Sequence, residues 1–166
     1  APLATCLDLI RDRLGPALHS LWFNANVEPR NTILGPDFVH WHGPETIVER
    51  FGGHAVHYPP GAFGQSNLDV AERIVAYVRE RVPARARVAE FYAGVGAIGL
   101  SLLDGLAELR VNEVSPHSLR GLEIGLGALD EDLRKRVRLV PGAAGDCAAA
   151  AEDADVVIVD PPRKGL

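Results

Sequence analysis

The chain is 166 residues long, room for one domain or for one domain with a small appendage. A hydrophobic fraction of 47% and a charged fraction of 23% exclude wholesale disorder, and a net charge of −5 argues against holding nucleic acid by bulk charge alone. The longest apolar run, Val156 to Val159, is too short to span a bilayer, and the N-terminus lacks the basic-then-apolar pattern of a signal peptide. The two cysteines, Cys6 and Cys147, lie far apart and read as free thiols, so a reducing, cytoplasmic location is expected. A chain with no methionine, starting at Ala1 and ending after Pro161-Pro-Arg-Lys-Gly-Leu166, is expected to be a piece of a longer protein.

In chain order, residues 7–14 carry apolar side chains at 7, 9, 10 and 14, a loose helical spacing stopped by Gly15-Pro16. Residues 19–27 are rich in strand formers and end at the turn signal Glu28-Pro29-Arg30-Asn31. Further short strands are predicted at 32–34, 38–41, 46–51 and 54–58, separated by Gly35-Pro36, Gly43-Pro44 and Gly52-Gly53. Residues 1–60 thus form an expected small β-rich N-terminal unit. The character changes at Pro59-Pro60-Gly61, and residues 67–82 follow a helical period with Ser66 or Asn67 available as N-cap.

After Pro83 strands at 87–92, 108–113, 136–140 and 155–160 alternate with helices at 97–106, 116–129 and, alanine-rich, near 144–151. This alternation predicts an α/β fold with a parallel sheet, doubly wound and Rossmann-like, over residues 61–166. A sheet of four strands has unpaired edges, which predicts self-association through one of them.

In such a sheet ligands bind at the carboxyl ends of the strands, and four stretches fall there. The first is Glu90-Phe-Tyr92-Ala-Gly94-Val-Gly96-Ala-Ile-Gly99, a strand end, a glycine turn and a helix start. Glycines there permit positive φ and a close ligand, and the helix N-terminus offers N–H groups. A carboxylate at Glu90 would repel a pyrophosphate and suits a ligand with a cationic end, such as the ammonium and sulfonium of S-adenosylmethionine. Its bland alternative is to cap nearby backbone N–H groups. The second is Glu113, 19 residues after Gly94, placed to accept ribose hydroxyls, or else a surface glutamate before a helix.

The third is Val156-Val-Ile-Val-Asp160-Pro-Pro-Arg163, a buried strand that ends in a stiffly presented carboxylate. The fourth, Phe63-Gly-Gln65-Ser-Asn67, reads equally as a ligand contact or as a plain entry into a helix. His40, His42, His54 and His57 lack a supporting cysteine or carboxylate cluster, so no metal site is expected.

Together these stretches resemble the RNA uracil-C5 (5-methyluridine) methyltransferase family, over roughly residues 19–166. Phe63-x-Gln65-x-Asn67 is similar to that family's F-x-Q-x-N, and Glu90 to Leu100 to its D-L-Y-C-G-x-G-x-F-x-L. Glu113 falls on its ribose-binding glutamate, and Asp160-Pro-Pro-Arg163-Lys-Gly165 on its D-P-P-R-x-G. The resemblance implies a class I methyltransferase sheet and S-adenosylmethionine as cofactor. It also implies methyl transfer to C5 of a uridine in ribosomal or transfer RNA. Donor contacts would come from Gln65, Tyr92, Gly94, Gly96, Glu113 and Asp160. The family's nucleophilic cysteine and its base follow the D-P-P-R motif, so no catalytic residue is expected within these 166 positions and the chain alone is expected to be inactive. Departures include Ala143 where the family usually has an aspartate, with Asp146 as the nearby substitute. Two alternatives stay open: a nucleotide-binding oxidoreductase domain, and a non-catalytic relative that only binds donor or a partner.

Overall fold

The structure, a computed structural model, describes residues 2–26 and 33–162. Its contacts divide the chain into two units, Ala1–Ile47 and Val48–Leu166. The boundary expected near residue 60 cuts the chain at a different place.

In the first unit, helix α1 (Pro2–Leu14) precedes a short 3-10 turn and the strands β1 (Leu21–Ala25) and β2 (Asp37–His42). The helix starts five residues before the periodic stretch, at a proline, which needs no N–H in a first turn. Trp41 Nε1 donates to Asp8 Oδ1 at 3.2 Å, tying β2 to α1. The strands pair antiparallel, with Trp22 opposite His40 and their ring centroids 4.6 Å apart. Asn24 holds the end of the ribbon: its side chain accepts from the Gly35 N–H and donates to the Asp37 carbonyl. The strand expected at 32–34 is not formed at 33–34, where the chain bends; Thr32 and the predicted turn at 28–31 lie outside the described residues.

A hairpin of β3 (Ile47–Phe51) and β4 (His54–Tyr58) follows, and all of it except Ile47 belongs to the second unit. Gly52 and Gly53 join them with φ of +60° and +93°, values that glycine adopts without a Cβ clash. Helix α2 (Leu68–Arg79) is capped by Asn67, whose Oδ1 accepts from the Val70 N–H at 3.1 Å. The buried face of α2, Ala71 and Val75, packs with Phe51, Val56 and Val95, so the hairpin shares a core with α2.

Next come β5 (Arg87–Phe91), α3 (Ala97–Leu102), β6 (Glu108–Glu113), α4 (Pro116–Gly127), α5 (Glu131–Arg134), β7 (Val137–Pro141) and β8 (Val156–Val159). The four strands form one parallel sheet in the order β7-β6-β5-β8. Two steps go one way and the third reverses past β5, the first half of the doubly wound pattern. The short α5 escaped the sequence reading; its signal is Asp130, whose Oδ1 accepts from the Leu133 N–H.

One face of the sheet presents Val88, Leu109, Val111 and Val137 to Leu100, Leu103, Leu122 and Leu126 from α3, the turn after it and α4. The other face is covered thinly. The helix expected at 144–151 is only a 3-10 turn, Ala148–Ala151, because a four-alanine run is too short to sustain an α-helix. Arg110 anchors that segment, donating to the Ala150 carbonyl at 3.2 Å and to the Glu152 carbonyl. Among the described residues β8 pairs only with β5, and no helix is long and apolar enough to cross a membrane.

Helix α4 lies close to β4 because Gly121 has no side chain: a Cβ there would sit 2.3 Å from the His57 carbonyl oxygen. Gly121→Val is expected to destabilise the chain by about 1–3 kcal/mol, as forced overpacking does. Urea unfolding followed by circular dichroism measures it; an unchanged midpoint contradicts this packing.

Candidate functional site

The strand order reverses between β5 and β8, so the carboxyl ends of these strands border the crevice where doubly wound sheets bind ligands. The register sets out what stands there. Glu90 pairs laterally with Val111 on β6 and with Ile158 on β8. Glu113 and Asp160 each stand two residues further along their strands, on the side of the pleat that Glu90 occupies. Three carboxylates therefore flank the turn that leaves β5.

That turn begins at Tyr92, whose φ of +58° is unusual for a residue with a Cβ. Gly94 and Gly96 follow with φ of +59° and +85°. The three glycines of the motif meet different surroundings. A Cβ on Gly94 would face open space, so this is where another molecule can approach the backbone. A Cβ on Gly96 would lie 2.6 Å from a Leu122 methyl, so Gly96 lets α4 close on the turn. A Cβ on Gly99 would lie 2.1 Å from Glu90 Oε2.

Glu113 is buried and clamps the turn. Its Oε2 accepts from the Gly94 N–H at 2.7 Å, and its Oε1 from the Val114 and Ser115 N–H groups at 2.8 and 2.7 Å. A carboxylate has about four acceptor positions, so one on Oε2 remains for a hydroxyl. Its neighbour Asn112 braces the adjoining strand end, donating to the Val140 and Gly142 carbonyls. Asp160 is exposed, with its N–H directed at the Phe91 carbonyl at 3.4 Å. Gln65 is exposed on the segment before α2, and among the described residues no hydrogen bond joins it to Tyr92, Gly94, Gly96, Glu113 or Asp160.

Glu90 behaves differently from the expectation of a group facing a cation. It is 2% exposed, and its Oε2 accepts from the Gly99 N–H at 3.0 Å, a donor in the first turn of α3. Gly96, at the N-cap, has no side chain to fill that role. Burial pushes the Glu90 carboxyl up to about 8; the Gly99 hydrogen bond opposes this, and the charges of Asp160 and Glu113 add to it.

An apolar groove of about 450 Å³ lies on the opposite face of the sheet, with walls including Phe91, Tyr92, Ala144, Ala148, Val157 and Val159. Asp146 is exposed and is not part of its walls. Among the described residues no group of three or more His, Cys, Asp or Glu is arranged to hold a metal ion; His54 instead pairs with Asp104 and His40 with the Gly43 carbonyl.

A comparison with protein-family models gives no match. Individual proteins do match. An RNA methyltransferase of Protochlamydia amoebophila, named as uncharacterized, is 34% identical over 160 residues, 96% of this chain and 42% of that protein. Another from Halalkalibacterium halodurans is 28% identical over 163 residues, 94% of this chain and 34% of that protein. Among solved structures, the Pyrococcus abyssi tRNA (uracil-54, C5)-methyltransferase in complex with S-adenosyl-L-homocysteine superposes with a TM-score of 0.74. It is 24% identical, over 90% of this chain and 35% of the other. The chain is a relative of these RNA methyltransferases over nearly its whole length, and it shares the fold of the Pyrococcus abyssi structure. It spans less than half the length of these relatives.

For Glu90 the structure shows the alternative that the sequence offered, a cap on a backbone N–H, in place of a carboxylate facing a cation. Its partner Gly99 is nine residues on, and only the helix start brings the two together. The role of Asn112 was not foreseen; its position directly before Glu113 is the one signal the sequence holds.

Glu90 keeps its proton in the folded chain up to about pH 8, against 4.5 for an unperturbed carboxyl. The folded state then binds the extra proton between those values, so stability falls as pH rises through that window. Glu90→Gln keeps an acceptor for Gly99 and removes the titration. Its melting temperature is expected to match the parent near pH 4.5 and to exceed it by at least about 4 °C at pH 9. A difference that does not change with pH, read by thermal unfolding, contradicts the buried carboxyl.

Proposed function

We propose that the protein binds S-adenosylmethionine over Gly94 at the carboxyl edge of β5, β6 and β8, and transfers its methyl group to RNA. The acceptor in this reading is C5 of a uridine in ribosomal or transfer RNA. The observation that carries it is the Glu113 clamp: a buried carboxylate fixed to the Gly94 N–H, with an acceptor position left beside a backbone open to approach.

The residues fit the donor. Glu113 would receive a ribose hydroxyl, Gly94 would let the ligand lie against the backbone, and Gly96 with Tyr92 would set the curve of the turn. Asp160, held out at the end of β8 before Pro161, would stand near the cationic end and the target base. Gln65 would close over the ligand from the segment before α2. When bound, S-adenosylmethionine supplies an electrophilic methyl carried on a sulfonium.

Activating C5 of uracil calls for a nucleophile at C6, a thiolate in the family that the motifs resemble. Cys147 does not serve: its Sγ lies 3.8 Å from the Pro141 carbonyl, at the end of the edge strand opposite β8. The chain alone is therefore expected to bind donor without transferring the methyl group. Partner and location complete the reading: RNA in the cytoplasm, with self-association through the edge of β8.

Titration calorimetry tests this. S-adenosylhomocysteine is expected to bind and NADH not to; tight binding of NADH alone overturns the reading in favour of a nucleotide-binding oxidoreductase domain. Glu113→Gln, which offers one oxygen where three N–H groups are held, is expected to weaken binding by about 1.5–3 kcal/mol, roughly 10- to 100-fold. Unchanged affinity would remove Glu113 from the site.

A further inference from the structure

The three carboxylates at the turn are not equivalent. Glu113 is satisfied by three N–H donors and Asp160 is exposed, whereas Glu90 is sealed beneath the turn with its oxygen against the Gly99 N–H. Among the described residues, the charges that raise Glu90 are those of Asp160, just beyond β8, and Glu113 at the end of β6, both negative. Helix α3, Ala97–Leu102, carries no titratable residue; α4 carries His117, half-buried, and Arg120 and Glu123, both exposed. A cation that settles beside Asp160 and Glu113 offsets the two charges that raise Glu90, and so changes the field there.

We propose that Glu90 is a proton-linked positioning residue of the turn: it holds the first turn of α3 through Gly99, and it gives up its proton to solvent when a cationic ligand occupies the carboxylate-flanked edge. This rests on the proposed binding of S-adenosylmethionine at that edge and adds a coupling that the reading does not itself require. The physics is reciprocal. A nearby positive charge favours the ionised carboxyl, and a site that must ionise Glu90 to bind a cation binds it better as pH rises. The free-state carboxyl, pushed up to about 8 by burial, stands in the range where this linkage is measurable near neutral pH. The ionised form is also the stronger acceptor for Gly99, so ligand and turn are tightened together. S-adenosylhomocysteine has lost the sulfonium charge, so its binding drives less proton release than that of the methyl donor.

The test is calorimetry of the 166-residue chain with S-adenosylmethionine and S-adenosylhomocysteine, at pH 6.5 to 9 and in two buffers of different ionisation enthalpy. The parent chain is expected to release protons on binding the methyl donor, and its affinity to rise about tenfold across the range, as one unit of differential pKa requires. Glu90→Gln shares any titration of the ligand itself and is expected to lose this rise relative to the parent. Equal pH dependence in parent and variant overturns the inference while leaving the donor site standing. Failure of either ligand to bind at any pH overturns the donor site and the inference with it. Proton release by the parent chain is read independently of whether the variant folds, and its absence also overturns the proposal.

Discussion

Glu90 reaches the Gly99 N–H only because position 99 has no side chain, and the site depends on that contact. The carboxyl occupies the space a Cβ would need, takes a donor at the start of α3, and so fixes the helix relative to β5. Glu113 does the matching work from β6, holding Gly94 and the first residues after its own strand. Between these two anchors lies the whole turn, from the left-handed Tyr92 through Gly94 and Gly96 to the start of α3. A ligand meeting this edge finds a surface already shaped, which lowers the cost of ordering on binding.

The two acidic residues also divide the labour between stability and recognition. A carboxyl buried as deeply as Glu90 costs stability once it ionises, and the charges of Asp160 and Glu113 raise that cost. A fold that keeps such a group beside an open backbone has placed strain where ligand charge can relieve it. Glu113, by contrast, has enough donors around it to stay as it is and still receive a hydroxyl.

The parallel sheet was legible because its strands are short apolar runs separated by helical spacing: β6 matches its expected bounds, and β5 and β8 lie within theirs. The positions of Glu113 and Asp160 at the carboxyl ends of the strands flanking β5 were legible because the strand ends could be read from the apolar runs. What escaped depends on contacts between residues remote in sequence. The inward direction of Glu90 follows from the empty space at Gly99, and the separate roles of Gly94 and Gly96 follow from where Leu122 packs. The alanine run near 148 looked helical by propensity, but its length gives no more than a 3-10 turn. Gln65 remains on an exposed segment, where a residue pattern carries no information about what it will touch.

In the proposed complex a ligand of the methyl-donor class sits on the open side of Gly94, between Glu113 and Asp160. Amide chemical shifts of the isotopically labelled chain, followed while S-adenosylhomocysteine is added, test it most directly. The largest changes are expected at Gly94, at Val114 and Ser115 beyond Glu113, and at Asp160. Changes confined to the apolar groove around Ala148 and Val157, or to the first unit, would contradict it.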